Sequence, residues 1–195
     1  YYVLTATSPN GCSSTDTVFA NVRPFAVPTI SLDSEPSICQ GETIQITASA
    51  ATTDKFMLQE RGDMLSLQAI EKSVDAALKQ ANLSRNDIDL FELHDAFTIL
   101  SALSLEAAGF AERGHGWEFA QSGSIKLNGQ LPISTFGGLK SRGNPAGASG
   151  VYQAVEAVLQ LRNQAGDNQV ANANAAMIQS VGGLGSTVFT HILQI

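Results

Sequence analysis

The hydrophobic pattern of the chain changes period part-way along. Up to about residue 51, apolar and polar positions alternate. The runs Tyr2-Val3-Leu4-Thr5-Ala6-Thr7, Thr15-Asp16-Thr17-Val18-Phe19-Ala20-Asn21-Val22 and Thr43-Ile44-Gln45-Ile46-Thr47-Ala48 predict short strands, the first two joined by a turn at Pro9-Asn10-Gly11. From about Leu65 the period becomes that of a helix. Leu67, Ile70, Val74, Ala77, Leu78 and Ala81 line one face of a helix that ends near Asn82. Residues 88–93 then read as a strand, 97–108 as a helix stopped by Gly109, and 147–163 as a helix with Val151, Tyr152, Val155, Val158 and Leu159 along one side. Residues 169–181 and 186–195 are apolar strands joined through Gly182-Gly183-Leu184-Gly185, so they should be neighbours. This order predicts an α/β layer sandwich over 65–195, preceded by an all-β fragment over 1–51 and a seam at 52–64 that holds Thr52, Thr53, Asp54 and Lys55.

Composition narrows the function classes. With 195 residues, 44% hydrophobic and 15% charged, the chain can bury one core of ordinary size plus a smaller piece. A net charge of -7 without any run of Lys or Arg argues against a surface that neutralises nucleic-acid phosphates. No apolar stretch reaches the roughly 20 residues that span a bilayer, and the N-terminus lacks the order of a signal peptide. Both cysteines, Cys12 and Cys39, precede residue 40, so the later part has none for catalysis or for a metal cluster, and no metal site is expected.

Chemistry is best sought in the later part. His94-Asp95-Ala96-Phe97 falls where a strand ends and a helix begins, the position at which open α/β sheets display functional side chains. His94 could point into a crevice there, or face solvent while Asp95 caps the helix. The run from Gly137 to Gly150 is a glycine-rich loop leading directly into a helix. Glycines let backbone N–H groups approach a ligand, and the helix N-terminus adds partial positive charge that suits an oxyanion; a tight packing turn is the alternative. The Gly182–Gly185 segment reads as a simple hairpin turn. His115 reads as a loop residue, His191 as a packed strand residue, and Trp117 as filling a core or a partner surface.

In this order and spacing, the segments resemble the C-terminal half of thiolases, above all the archaeal-type and sterol-carrier-protein-associated branches. His94-Asp95-Ala96-Phe97 is similar to the family's Asn-Glu-Ala-Phe or His-Asp-Cys-Phe segment. Gly143-Asn144-Pro145-Ala146-Gly147-Ala148-Ser149-Gly150 is similar to Gly-His-Pro-x-Gly-Ala-Ser/Thr-Gly, and Gln179 to Gly185 stands where the family has Cys-x-Gly. The resemblance covers about two-thirds of the chain. It implies a thiolase-like C-terminal layer sandwich, a mixed sheet with helices on its faces. It also implies acyl transfer or carbon-carbon bond formation on coenzyme A thioesters, with acyl-CoA as substrate, no bound cofactor and a cytoplasmic setting.

The departures shape the implied mechanism. Asn144 replaces the histidine that activates the thiolase nucleophile, and a carboxamide donates a hydrogen bond but takes no proton. His94 sits where many thiolases have Asn, so the two roles look exchanged, as in the Cys-His-Asn sites of ketoacyl synthase III, chalcone synthase and hydroxymethylglutaryl-CoA synthase. The resemblance then implies that His94 polarises the thioester and Asn144 completes the oxyanion hole, with Gly143, Gly147, Ser149, Gly150 and Gly183 in support. Lys140 and Arg142 would meet the acidic part of coenzyme A. Gln179 and Ser180 stand in place of the second thiolase cysteine, so ordinary reversible thiolysis is not expected. The nucleophilic cysteine of the family belongs to its N-terminal half, and no cysteine follows Cys39. The chain alone is therefore expected to be inactive, its partner being a thiolase N-terminal half or a second copy.

The earlier part has a different resemblance. Tyr2 to Ser13 and Ser37 to Thr43 look like the end of one repeat and the start of the next in tandem immunoglobulin-like modules of bacterial surface proteins. That implies an extracellular setting for the relatives of this fragment, with Cys12 closing one module and Cys39 opening another; a direct Cys12–Cys39 bond stays open. An adhesion protein or a chimeric fusion is the corresponding alternative to an enzyme.

Overall fold

The computed structural model describes residues 2–7, 13–18 and 44–195. Strands β1 (Tyr2–Thr7) and β2 (Ser13–Val18) pair antiparallel, with Tyr2 opposite Val18 and Thr7 opposite Ser13. The predicted turn at Pro9-Asn10-Gly11 and both cysteines lie outside the described residues.

The remaining elements are β3 (Gln45–Thr53), α1 (Gln68–Ala81), β4 (Leu90–Glu92), α2 (Thr98–Ala107), α3 (Gly116–Gln121), α4 (Gly138–Arg142), α5 (Ser149–Leu161), β5 (Ala175–Gly182) and β6 (Thr187–Gln194). Their four strands form one mixed sheet in the order β3-β6-β5-β4, antiparallel except for the parallel pair β4–β5. Because side chains alternate along a strand, consecutive residues supply opposite faces. Phe91, Met177 and Ile192 meet Ile70, Val74 and Leu78 of α1 on one face, whereas Leu90, Ala176 and Leu193 meet Ala157 and Leu161 of α5 on the other. The fold is a helix–sheet–helix sandwich, as the alternating helix and strand periods predict.

The ends of these elements follow from local chemistry. Helix α1 stops at Asn82, whose left-handed backbone (φ 55°) lets its N–H reach the carbonyls of Leu78 and Lys79. The predicted β5–β6 hairpin forms, with Gly183 and Gly185 at positive φ in its turn.

The expected boundary at residue 51 needs correction. The strand expected at 43–48 as part of the all-β fragment is β3, which runs on to Thr53 and lies at the edge of the α/β sheet beside β6. Alternation is a local signal, and β6 is far away in sequence, so the pattern alone could not tell which sheet the strand joins. Residues 52–64 are likewise part of the domain. The buried Arg61 guanidinium donates to the carbonyls of Lys55 and Leu184 and lies 3.5 Å from the Asp54 carboxylate. Trp117 fills no core among the described residues: it is 56% exposed, and its indole N–H donates to the Gly114 carbonyl. Among the described residues no helix is long and apolar enough to cross a membrane.

Candidate functional site

Parallel pairing of β4 and β5 puts their C-terminal ends at one edge of the sheet. His94 follows β4 there, and Gln179 and Ser180 lie in the C-terminal half of β5. Helix α5 begins at the same edge: a Cβ on Gly150 would lie 2.7 Å from Ser180 Oγ, so glycine is what allows this approach. A single buried side chain stitches the three elements together. Gln153 Nε2, on α5, donates to the carbonyls of Glu92 (3.0 Å), Leu93 (2.9 Å) and Gln179 (2.9 Å), while its Oε1 accepts from Ser180 Oγ (3.0 Å). One buried carboxamide thus serves three main-chain carbonyls at this end of the sheet.

His94 is half-buried, and its Nδ1 is buried with no hydrogen-bond partner among the described residues. Burial depresses its pKa, the neighbouring Asp95 carboxylate opposes this, and the Arg142 guanidinium adds to it. The neutral imidazole is thereby favoured. Asp95 does not cap the helix that follows it. The N-cap position of α2 is Phe97, which supplies no side-chain cap, and Asp95 Oδ1 instead accepts from the Leu139 N–H at 2.7 Å, in the first turn of α4. Any Cβ on Gly138 (φ 64°) would overlap the Asp95 carboxyl group. The carboxylate thus locks the His94 segment to the start of the glycine loop.

That loop continues through Gly143 (φ 91°) to Asn144, which is exposed. Asn144 Oδ1 accepts from the buried Ser149 Oγ at 2.8 Å, which fixes the amide, and its NH2 group makes no hydrogen bond among the described residues. Gly147 is exposed, with open space where a Cβ would stand. The site residues read from the sequence therefore behave differently. His94, Asn144, Ser149 and Gly150 lie on segments joined by direct contacts. Gly183 serves the β5–β6 turn, and Lys140 is exposed beside the loop. His115 pairs with Glu118 at 2.9 Å far along the chain, and His191 on β6 has its pKa lowered by burial.

Arg142 stands differently from an outward-facing loop cation. Its side chain is only 14% exposed, and it turns inward, with Nη1 2.9 Å from Glu156 Oε2 on α5 and its guanidinium 5.7 Å from the Tyr152 ring centroid. A guanidinium so enclosed is not presented to a bulky anion. Beneath it lies an acidic pair that motif reading missed. Glu92 is fully buried, and its Oε1 accepts from both the backbone N–H (2.8 Å) and the hydroxyl (2.7 Å) of Thr135. Burial raises the pKa of both Glu92 and Glu156, that of Glu156 to about 7 with the Glu92 charge contributing. Each acid interrupts an apolar run, Phe91-Glu92-Leu93 and Val155-Glu156-Ala157, and that is the signal that could have found them. Among the described residues no group of His, Cys, Asp and Glu is arranged to hold a metal.

Taken as chemistry, a neutral imidazole and a fixed carboxamide N–H donor are groups that can polarise a carbonyl and stabilise an oxyanion. The comparisons with known proteins agree with this part of the molecule. Residues 50–195 match the family described as thiolase C-terminal domain-like. The chain is 40% identical over 149 residues to the acetyl-CoA acetyltransferase of Methanothermobacter thermautotrophicus, covering 76% of this chain and 39% of that protein. It is 34% identical over 154 residues to human sterol carrier protein 2, covering 77% of this chain and 28% of that protein. Among solved structures, the fold is similar to the Ltp2-ChsH2(DUF35) aldolase, with a TM-score of 0.70 at 24% identity, covering 78% of this chain and 39% of that one. The chain thus spans well under half the length of these relatives.

Proposed function

The chain belongs to the thiolase C-terminal domain-like family, and from that membership we propose that residues 50–195 supply half of an acyl-CoA-processing site, with His94 and Asn144 stabilising the oxyanion of a thioester carbonyl. The observation that carries this reading is the placement of His94. Its imidazole stands at the sheet edge with an unpartnered Nδ1, and Asp95 ties its segment to the loop bearing Asn144. The imidazole donates toward the carbonyl oxygen as charge develops there, and the Asn144 NH2 is the second donor. The Asn144 carboxamide neither gains nor loses a proton near neutral pH, so any proton transfer at this edge falls to His94.

The nucleophile comes from elsewhere. No cysteine follows Cys39, so a thiolate must be contributed by another segment or another chain. The outward side of α5 supports the same reading. Val151, Tyr152 and Val155 are each about half exposed (48%, 49% and 51%) beside the site, and Phe97 near the same edge is 63% exposed. A thiolase N-terminal half, or a second copy of the chain, would cover that face. With Arg142 withdrawn, Lys140 is the remaining loop cation for the acidic part of coenzyme A, which is here a substrate rather than a bound cofactor. Such thioester chemistry belongs in the cytoplasm. The immunoglobulin-like reading is a resemblance of the sequences Tyr2 to Ser13 and Ser37 to Thr43, and it does not extend to residues 45–51, which belong to the α/β sheet.

The test is release of free coenzyme A from acetyl-CoA, read with a thiol reagent. The chain alone should give none above background. Mixing with a thiolase N-terminal half that carries a reactive cysteine should restore release, and His94→Ala should cut the restored rate by roughly a hundredfold or more. Turnover by the chain alone, or restored turnover indifferent to His94, contradicts the proposal.

A further inference from the structure

Three acidic side chains and one guanidinium crowd the space behind His94, and their charges do not balance as written. Glu92 reaches in from the end of β4, Glu156 from α5, Asp95 from the segment after β4, and Arg142 from the end of α4. Asp95 has its own partner in the Leu139 N–H. Glu92 Oε1 is occupied by Thr135, but its Oε2 is buried and has no other partner among the described residues. Arg142 lies within ion-pair distance of Glu156, yet none of its nitrogens makes a well-directed hydrogen bond there. Two buried, adjacent carboxylates facing one guanidinium carry an excess negative charge, which is costly away from water. One proton between them removes the excess and gives Glu92 Oε2 a partner.

We propose that Glu92 and Glu156 hold one shared proton and together seat Arg142, so that they act as positioning residues that set the Gly143–Asn144 loop against His94. The route is short. Arg142 is the last residue of α4, and only Gly143 separates it from Asn144. The Tyr152 ring stacks on the outer side of the guanidinium, and Gln153, one residue on, holds the β4 carbonyls next to His94. Loss of the shared proton leaves both carboxylates charged, pulls the guanidinium deeper, and draws the loop with it. The groups that act on the pair are Arg142 from α4, Asp95 from the segment after β4, and the uncharged Thr135. This inference rests on the proposed oxyanion role of His94 and Asn144 for its functional meaning, but its physical content does not need turnover.

The experiment is a pH titration of the full chain by NMR, following the His94 imidazole Cε1–H and the Asn144 side-chain NH2. Besides the titration of the imidazole itself, both signals should show an inflection near pH 7, where the acidic pair gives up its proton. Glu156→Gln is isosteric and stays neutral, so it should abolish that inflection in both signals while leaving the fold, read by circular dichroism, unchanged. Glu92→Gln should do the same through the other partner and serves if the first variant folds poorly. A flat Asn144 signal across pH 5–9 in the unsubstituted chain, or an inflection that survives in both variants, overturns the proposal. Failure of the coenzyme A release test with these titrations intact would remove the assigned chemistry and leave the proton-sharing pair standing.

Discussion

Helices α1 and α5 cover opposite faces of the same sheet, yet they sort their side chains in opposite ways. Helix α1 buries Ile70, Val74, Ala77 and Leu78 and turns Glu71, Lys72, Asp75 and Lys79 to solvent. That is the pattern of an outer layer facing water. Helix α5 buries Ser149, Gln153, Glu156 and Gln160 beside Ala157 and Leu161, and leaves Val151, Tyr152 and Val155 about half exposed. Its inward polar groups are occupied: Gln153 holds strand-end carbonyls, Gln160 Nε2 donates to the Asn168 carbonyl, and Glu156 meets Arg142. A helix that buries this many polar groups beside its apolar contacts and keeps valines and a tyrosine half exposed fits the proposed place between two bodies. The contrast separates the side of the domain that stabilises it from the side on which the proposed chemistry and the proposed covering surface would lie.

Substitutions break or sharpen this contrast. The largest effect is expected from Ile70→Ala on α1. It removes a fully buried side chain from the main core and should cost about 3 kcal/mol of unfolding free energy, measured by urea denaturation. Gln153→Ala on α5 should cost about 2 kcal/mol, because it strands the carbonyls of Glu92, Leu93 and Gln179 in a buried setting. The loss would come from a polar residue, as the inverted sorting of α5 requires. Equal insensitivity of the domain to both changes would erase the distinction.

A smaller effect concerns pH. Glu156 has its folded pKa raised from 4.5 to about 7, so the native state holds more protons than the unfolded chain between those values. Its contribution to stability is therefore fully present below about pH 4.5 and is lost as pH rises through about 7. Glu156→Gln should remove this decline, so thermal midpoints of variant and parent should converge at low pH and separate, with the variant higher, above pH 7. His94 works in the opposite direction. Its pKa is lowered in the fold, so its contribution is present above the ordinary histidine value of 6.5 and is lost as pH falls below that through the lowered value, and this limb should remain in the variant.

The sequence made some of this legible and hid the rest for identifiable reasons. The α1 periodicity and the β5–β6 hairpin are local patterns, and each appears in the structure within a few residues of the expected place, whereas the expected glycine loop begins as the short helix α4. The apolar side of α5 was also visible, but periodicity cannot say whether such a side faces a core or a partner. Strand β3 reads from sequence as part of the all-β fragment, because its pairing with β6 links residues such as Ser49 and His191 that share no local signal. In the candidate site, His94 and Asn144 stood out because their segments carry motifs. The contacts that hold those segments, Asp95 to Leu139 and Arg142 to Glu156, join residues that only the fold brings together. Arg142 looked like a loop cation from its neighbours in sequence, and only burial reveals it as an internal one.

The most direct measurement is sedimentation velocity of the chain across a concentration series, comparing it with a variant in which Val151, Tyr152 and Val155 are all changed to Ser. The parent should associate with itself, or with an added thiolase N-terminal half, and the variant should sediment as a folded monomer of unchanged stability with neither association. A parent chain that stays monomeric and ignores the added half, or a variant that unfolds, would contradict the assignment of this helix face as an interface.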